Sequence, residues 1–339
     1  MNPIPVGVDI GKNVFQIHYI APGSGEIINK PLKRANFLEY FANLQPCLIG
    51  MEACGGSQHW ARSLAKLGHQ VRLMAPRFAK AFNIGNKNDA ADARAIWLAV
   101  QQPGNKVAVK TEAQQAVLAL HRLRQQLVKF RTAQINCIRG LLGEYGEVMP
   151  ASRRAFDANI ATVLDRVGDH IAAPLIDTLR EQWAALAPLD EQIARIEQRL
   201  KQWMSADLSA QAISAIPGVG LLTATAAVAT IGDARTFKSG REFAAAIGLV
   251  PRQVGSGGRT TLLGISKRGD AYLRTLLVQC ARVVCFQLRS NNPWIEQLLK
   301  RRPYNVAVVA MANKLARVIW AVLAHGKPYE QGFVSAKPA

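Results

Sequence analysis

Apolar residues in the first hundred positions recur at two different periods. Val6, Val8 and Ile10, then Phe15, Ile17 and Tyr19, alternate with polar or small residues on either side of Gly11-Lys12. That period of two predicts a strand, a glycine turn and a returning strand. Pro22-Gly23-Ser24-Gly25 supplies the next hairpin turn and predicts a third strand around Ile27. Phe37, Tyr40, Phe41 and Leu44 change to helical spacing. Cys47-Leu48-Ile49-Gly50-Met51 is a short apolar run of the kind a buried strand shows, and it ends at Glu52. A helix through Trp60, Leu64 and Leu67 follows, then a strand at Val71–Met74. Another helix opens at Asp89 and runs through Ile96, Trp97 and Val100. A β-meander followed by β–α units predicts an α/β domain over 1–105, a mixed sheet with helices on its faces.

The period then lengthens. Leu120, Leu123, Leu127, Phe130, Ile138 and Leu141 lie near heptad spacing, as do Leu186, Leu189, Ile193, Ile196, Leu200 and Trp203. Such stripes predict coiled-coil seams over 106–210, either within one chain as an antiparallel pair or between protomers. Gly143, Gly146, Pro150 and Pro174 mark 143–175 as an irregular connection. From Ile213 the chain becomes small, apolar and basic, and 211–339 reads as a mostly helical domain. Ile216-Pro217-Gly218-Val219-Gly220, between apolar helical segments, has the form of a helix-hairpin-helix, in which Gly218 and Gly220 let a phosphate reach backbone N–H groups. Ser266-Lys267-Arg268-Gly269-Asp270 leads into a helix through Tyr272, Leu273, Leu276 and Leu277. A last apolar helix near Val306–Leu323 carries Lys314 and Arg317 on its polar side, and the end after Gly332 reads as loose.

Charge narrows the choice of partner. The 339 residues carry a net +19. Residues 1–105 hold eleven Lys and Arg against six Asp and Glu, and 106–210 fourteen against twelve. Residues 211–339 hold seventeen against five, a surplus concentrated enough to point to a polyanion, with nucleic acid the first expectation. A membrane surface is not expected, since no apolar run approaches a transmembrane span and the N-terminus lacks the form of a secretory signal. Five cysteines without a Cys-x-x-Cys pair predict reduced thiols in a cytoplasm. Cys280 and Cys285 are read as helix packing, and zinc is not expected.

The carboxylates of the first domain are few, and four of them fall at strand ends or a helix start. Asp9 and Glu52 sit in or just after apolar strands, where a lone buried carboxylate would be costly. Asp89 and Asp92 share one helix face, and like charges that close call for a cation or proton between them. The plainer reading makes Asp89 an N-cap and Asp92 a first-turn acid. All four together predict a divalent-cation site, Mg²⁺ or Mn²⁺ by the hardness of the ligands, suited to phosphoryl transfer. In the basic domain, Ser256 stands among glycines with Arg252 and Arg259 on either side. A turn is the ordinary meaning of such a serine. Here two guanidiniums stand where they can clamp a phosphate.

Gly7-Val8-Asp9-Ile10-Gly11-Lys12, Met51-Glu52 with Asn88-Asp89-Ala90-Ala91-Asp92, and Ile216–Gly220 with Gly248–Gly269 together resemble DEDD-type insertion-sequence transposases, the group related to the pilin-gene invertase Piv. The resemblance covers most of 6–100 and 211–329; the middle matches only in being helical. It implies a RuvC-like domain of the RNase H superfamily in which Asp9, Glu52, Asp89 and Asp92 bind metal ions. It further implies that Ser256 is a nucleophile linking covalently to DNA, in a site shared between the two terminal domains. Arg252, Arg259, Lys267, Arg268, Gly218 and Gly220 are then expected to contact nucleic acid. Also implied are donor and target DNA, a structured bridge RNA as guide, and a homodimer that assembles to a tetramer. The setting implied is bacterial or archaeal cytoplasm, at the nucleoid. Thr260, Thr261 and Ser266 are lesser nucleophile candidates. Three other readings compete: a RuvC-like junction nuclease using water, which needs the acids but not Ser256; a sugar-kinase or actin-like ATPase, which needs further nucleotide loops that the first domain lacks; and a non-catalytic nucleic-acid binder, which leaves the aligned acids unexplained.

Overall fold

A computed structural model describes residues 3–84, 86, 88–104, 106–287 and 293–331. The tail expected to be loose lies outside the described residues. The chain forms two compact units, Met1–Thr111 and Glu112–Ala339.

In the first unit β1 (Ile4–Ile10), β2 (Val14–Ile20) and β3 (Ile27–Lys33) form the expected antiparallel meander. Helix α1 (Phe37–Ala42) leads to β4 (Cys47–Glu52), which lies parallel to β1. Helix α2 (Ser57–Lys66) leads to β5 (Gln70–Met74), parallel to β4. After α3 (Pro76–Lys80) and α4 (Asp89–Val100), the short β6 (Lys106–Val107) adds an antiparallel edge. The strand order is β3-β2-β1-β4-β5-β6, a mixed sheet.

Alternation along the strands decides what each face carries. Val6, Val8, Phe15, Ile17, Ile49 and Met51 pack with Phe37, Phe41, Trp60 and Leu64 of α1 and α2 in one core. The residues between them, Gly7, Asp9, Gly50 and Glu52, therefore face the opposite side, where α4 lies. A Cβ on Gly7 would come within 2.5 Å of the Trp97 nitrogen and inside contact with the Ala93 carbonyl. On Gly50 it would come within 2.7 Å of Val100 Cβ. The two glycines bring α4 down onto the strands that carry Asp9 and Glu52.

The second unit begins with α5 (Glu112–Glu144), α6 (Arg153–Val167), α7 (Ala173–Ala184) and α8 (Leu186–Ala206). Helices α6 and α7 correct the expected irregular connection over 143–175. Glycines and prolines punctuate that stretch, but Phe156, Ile160, Val163, Leu164 and Val167 recur at helical spacing and are buried with Ile135, Ile138 and Leu142 of α5. Helices α5 and α8 run antiparallel, joined by Arg124–Glu197 at 2.7 Å and Arg131–Asp190 at 2.5 Å, one heptad apart on each helix. The α8 stripe packs as expected, with Leu186, Ile193, Ile196 and Leu200 buried. The α5 stripe does so only in part: Ile138 is buried, and Leu120 and Leu127 pack in the cluster of Ile196 and Leu200. Its buried residues are Val117, His121, Ile135, Ile138 and Leu142, whereas Leu123, Phe130 and Leu141 are exposed. Helix α5 carries two apolar stripes, and spacing alone cannot say which one its neighbour covers.

Helices α9 (Leu208–Ser214), α10 (Leu221–Ile231) and α11 (Gly240–Ala246) precede a hairpin of β7 (Pro251–Ser256) and β8 (Arg259–Ile265); α12 (Ala271–Gln287), α13 (Pro293–Arg301) and α14 (Tyr304–His325) complete the unit. The helical middle and the C-terminal third share packing. Ala229 of α10 is buried with Val117, Ile196 and Leu200. His121 of α5 bonds Tyr272 at 2.9 Å and Thr225 at 3.0 Å. The expected boundary near 210 thus falls inside one compact unit. Helix α14 corrects another expectation, being long and apolar enough to cross a membrane by length and composition. It serves here as a core helix, its Val308, Ala312, Leu315, Ala316 and Ile319 lying in one core with residues of α11 and α12.

Candidate active site

Asn29, His18, Gly7 and Gly50 are successive register partners and form a row across β3, β2, β1 and β4. Helix α4 follows that row. Asn29 Nδ2 donates to the Ala90 carbonyl at 3.2 Å, Trp97 meets the His18 ring at 5.2 Å, and Val100 lies over Gly50. Asp9 and Glu52 stand two residues farther along their strands, about 7 Å from the row, on the same face. Each follows directly on the last paired residues of the parallel ladder, Val8 and Met51. Both act on one sulfur: the Cys54 thiol is pushed up by burial first, then by the Glu52 carboxylate, with Asp9 contributing less.

The other two acids lie in the first turn of α4. Asn88 is the N-cap, its side chain accepting from Ala91 N at 2.8 Å. This corrects the reading of Asp89 as cap and leaves it exposed at the first helical position. Asp92, half-buried, accepts from Asn83 Nδ2 at 2.6 Å. All four acids are thus on one face of the sheet, Asp9 with Glu52 and Asp89 with Asp92. Their chemistry fits a hard divalent cation. As they stand, however, no three His, Cys, Asp or Glu side chains among the described residues converge closely enough to hold one.

Ser256 ends β7 at the tip of a hairpin whose residues are exposed almost throughout. Gly257 and Gly258 have φ of 57° and 80°, the left-handed pair that a two-residue hairpin turn requires. The strands around the serine loop were not expected, because its glycine-rich sequence shows no alternation. Arg259 is the cross-strand partner of Ser256. Arg252 stands four residues back on β7, about 13 Å of strand, beside an irregularity between Pro251 and Gln253. The arginines are therefore not a symmetric clamp, and Arg259 alone is the serine's neighbour. Thr261 shares the Ser256 face but pairs with Val254 away from the tip. Thr260 is on the other face and bonds Gln253 at 3.4 Å; Ser266 Oγ is buried at the hairpin base. Lys267, at that base with φ of 52°, and Arg268 are both exposed.

Gly218 and Gly220 separate in role. A Cβ on Gly218 would meet Val284 and lie 3.2 Å from the Cys280 carbonyl, so this glycine serves packing on α12. Gly220 has open space around it and begins α10 without a side-chain cap.

A model described as the transposase IS116/IS110/IS902 family matches residues 210–300, and one for DEDD transposases of IS110 matches 6–147. A probable family 20 transposase of Pseudomonas aeruginosa is 44% identical over 98% of this chain and 100% of its own length. The transposase of insertion element IS1328 from Yersinia enterocolitica is 39% identical, covering 96% of this chain and 98% of its own. That of IS1111A from Coxiella burnetii is 40% identical over 96% and 91%. Identity of this extent, along both units, carries the enzyme class with it: the chain is a DNA transposase and belongs to the IS116/IS110/IS902 family of insertion-sequence transposases.

Proposed function

We propose that this transposase cuts and rejoins DNA through a serine–DNA ester formed by Ser256, with Asp9, Glu52, Asp89 and Asp92 as a divalent-cation site in an RNase H-like, RuvC-like first unit. The observation that carries this reading is the placement of Ser256 at an exposed hairpin tip with Arg259 directly across from it. The tip borders an open hollow of about 480 Å³ lined by Gln253, Gly255, Ser256, Gly257, Gly258, Arg259 and Thr260. No side chain on the two glycines obstructs a phosphodiester.

In the proposed step Ser256 Oγ gives up its proton and bonds phosphorus. One bridging P–O bond to a sugar breaks, and that oxygen leaves as a hydroxyl. The reverse attack by the hydroxyl of another strand restores the serine and a phosphodiester, so joining needs no further energy source. Arg259 offsets the negative charge gathering on the non-bridging oxygens. The four acids would hold Mg²⁺ or Mn²⁺, which supplies Lewis-acid stabilisation of the phosphate charge. Water-dependent cleavage by a RuvC-like nuclease would use the same acids and leave Ser256 idle.

The test is to trap the reaction on labelled DNA, denature it and map any covalent adduct. It is expected at Ser256 and lost in Ser256→Ala. Full recombination by Ser256→Ala, or an adduct on Thr260, Thr261 or Ser266, would remove this serine from the mechanism.

Donor and target DNA are the proposed substrates, with Arg252, Lys267, Arg268 and the α10 N-terminus at Gly220 as further phosphate contacts. A structured bridge RNA is proposed as guide in the bacterial or archaeal cytoplasm, at the nucleoid; recombination that proceeds at full rate with all RNA digested would count against it. The homodimer, and its assembly to a tetramer, are read onto the second stripe of α5. Ala116, Ala119, Leu123, Phe130, Ala133 and Cys137 are exposed there at heptad steps. Phe130→Glu should lower the sedimenting mass, and an unchanged mass would place the interface elsewhere.

A further inference from the structure

A line of neutral amides runs from beside Asp9 on β2 to the first turn of α4. Gln16 is the cross-strand partner of Asp9 and shares its face of the sheet. Its Nε2 donates to Asn29 Oδ1 at 2.7 Å, and Asn29 Nδ2 donates onward to the Ala90 carbonyl at 3.2 Å. Ala90 lies between Asp89 and Asp92. On the other side of the turn Asn83 donates to Asp92 at 2.6 Å. Its own Oδ1 is buried with no hydrogen-bond partner among the described residues, a costly arrangement for a residue kept only for packing. Turning the amide over would put that oxygen against the Asp92 carboxylate, so the bond to Asp92 fixes its direction.

We propose that Gln16, Asn29 and Asn83 are positioning residues that hold the first turn of α4 in register with Asp9, so that the four carboxylates can close on a cation. The inference rests on the reading of those acids as a cation site. Its physical logic is charge. A lysine or arginine in these places would neutralise the acids and repel the cation, and another carboxylate would add repulsion to a site that already holds four. An amide donates a hydrogen bond and adds no charge. Outer partners that orient ligating carboxylates commonly alter metal affinity or activity by about 10–100-fold when removed.

The test uses the full-length chain with Gln16→Leu, Asn29→Leu and Asn83→Leu, and Asp92→Asn alongside. Free Mn²⁺ is followed by electron paramagnetic resonance, and DNA cleavage is measured against Mg²⁺ concentration. Each leucine variant is expected to weaken Mn²⁺ binding by about 10–100-fold and to shift half-saturating Mg²⁺ upward by a similar factor. Cleavage should return at high Mg²⁺, which a general packing defect would not show. The Gln16 and Asn29 bonds are exposed, so those variants should melt with the wild type. If Asn83→Leu melts early, those two decide. Unchanged Mn²⁺ affinity and Mg²⁺ dependence in the folded leucine variants, with Asp92→Asn defective in both, would overturn this inference alone. An Asp92→Asn enzyme that binds Mn²⁺ and cleaves normally would overturn the cation-site reading beneath it.

Discussion

Asp89 and Asp92 gain a sharper test once Asn88 is seen to cap α4. A cap lost to alanine costs about 0.5–2 kcal/mol, whereas an exposed first-turn acid such as Asp89 contributes only about 0.3–1 kcal/mol through the helix dipole, and Asn at 92 can still accept from Asn83. Asn88→Ala is therefore expected to melt lower and still cleave, while Asp89→Asn and Asp92→Asn melt nearly as wild type and lose cleavage. Melting curves run beside a cleavage assay distinguish capping from catalysis. His121 offers a pH test in the other unit. Burial first, then the Arg124 charge, lowers its pKa from 6.5 to about 4. Above pH 6.5 both folded and unfolded chains are neutral there, and the histidine contributes no pH dependence. Between pH 6.5 and 4 only the unfolded chain takes up the proton, so stability falls with pH, by up to about 3 kcal/mol. Denaturant unfolding across that window should show the slope, and His121→Leu should flatten it, whatever its stability at neutral pH.

At the scale of elements, the proposed cation site depends on how closely α4 approaches β1. Gly7→Ala forces a methyl into space occupied by the Ala93 carbonyl and the Trp97 backbone. Overpacking of this kind costs about 1–3 kcal/mol, relieved by moving the helix. That movement carries Asp89 and Asp92 away from Asp9. Gly7→Ala is expected to lose cleavage and Mn²⁺ binding while nucleic-acid binding persists. Gly140→Ala, whose Cβ meets nothing, should be neutral or slightly stabilising. Retained cleavage by Gly7→Ala would mean that the helix position is not critical.

For the whole molecule the argument is electrostatic. The first unit carries thirteen Lys and Arg against six Asp and Glu, the second twenty-nine against seventeen. Binding through Z phosphates makes log K fall against log salt with slope about −0.9Z on duplex DNA. Residues 112–339 expressed alone should keep a steep slope, and residues 1–111 a shallower one. The fragment has to begin at α5, because α10 and α12 pack on that helix and a piece starting at 211 would expose the Ala229, Thr225 and Tyr272 contacts. Salt-independent binding by 112–339 would refute a phosphate-dominated interface.

Local periodicity was enough to determine the β-meander, the β–α units after it and the long helices, because strand and helix periods are written into the order of residues. Composition determined the polyanionic partner, and spacing marked Asp9, Glu52, Asp89, Asp92 and Ser256 as residues to watch. Tertiary structure decided which α5 residues are covered, since both stripes have the same spacing and only the helices packed on α5 distinguish them. It decided that Gly218 serves α12 while Gly220 faces open space, and that Arg259 rather than Arg252 neighbours Ser256. It also brought Gln16, Asn29 and Asn83 to the acids. Gln16 lies 74 positions from the Ala90 carbonyl it helps to hold through Asn29, Asn29 lies 61 from that carbonyl, and Asn83 lies 9 from the Asp92 carboxylate. No local pattern carries such a pairing, because register across strands and the descent of α4 onto glycines exist only once the chain has folded.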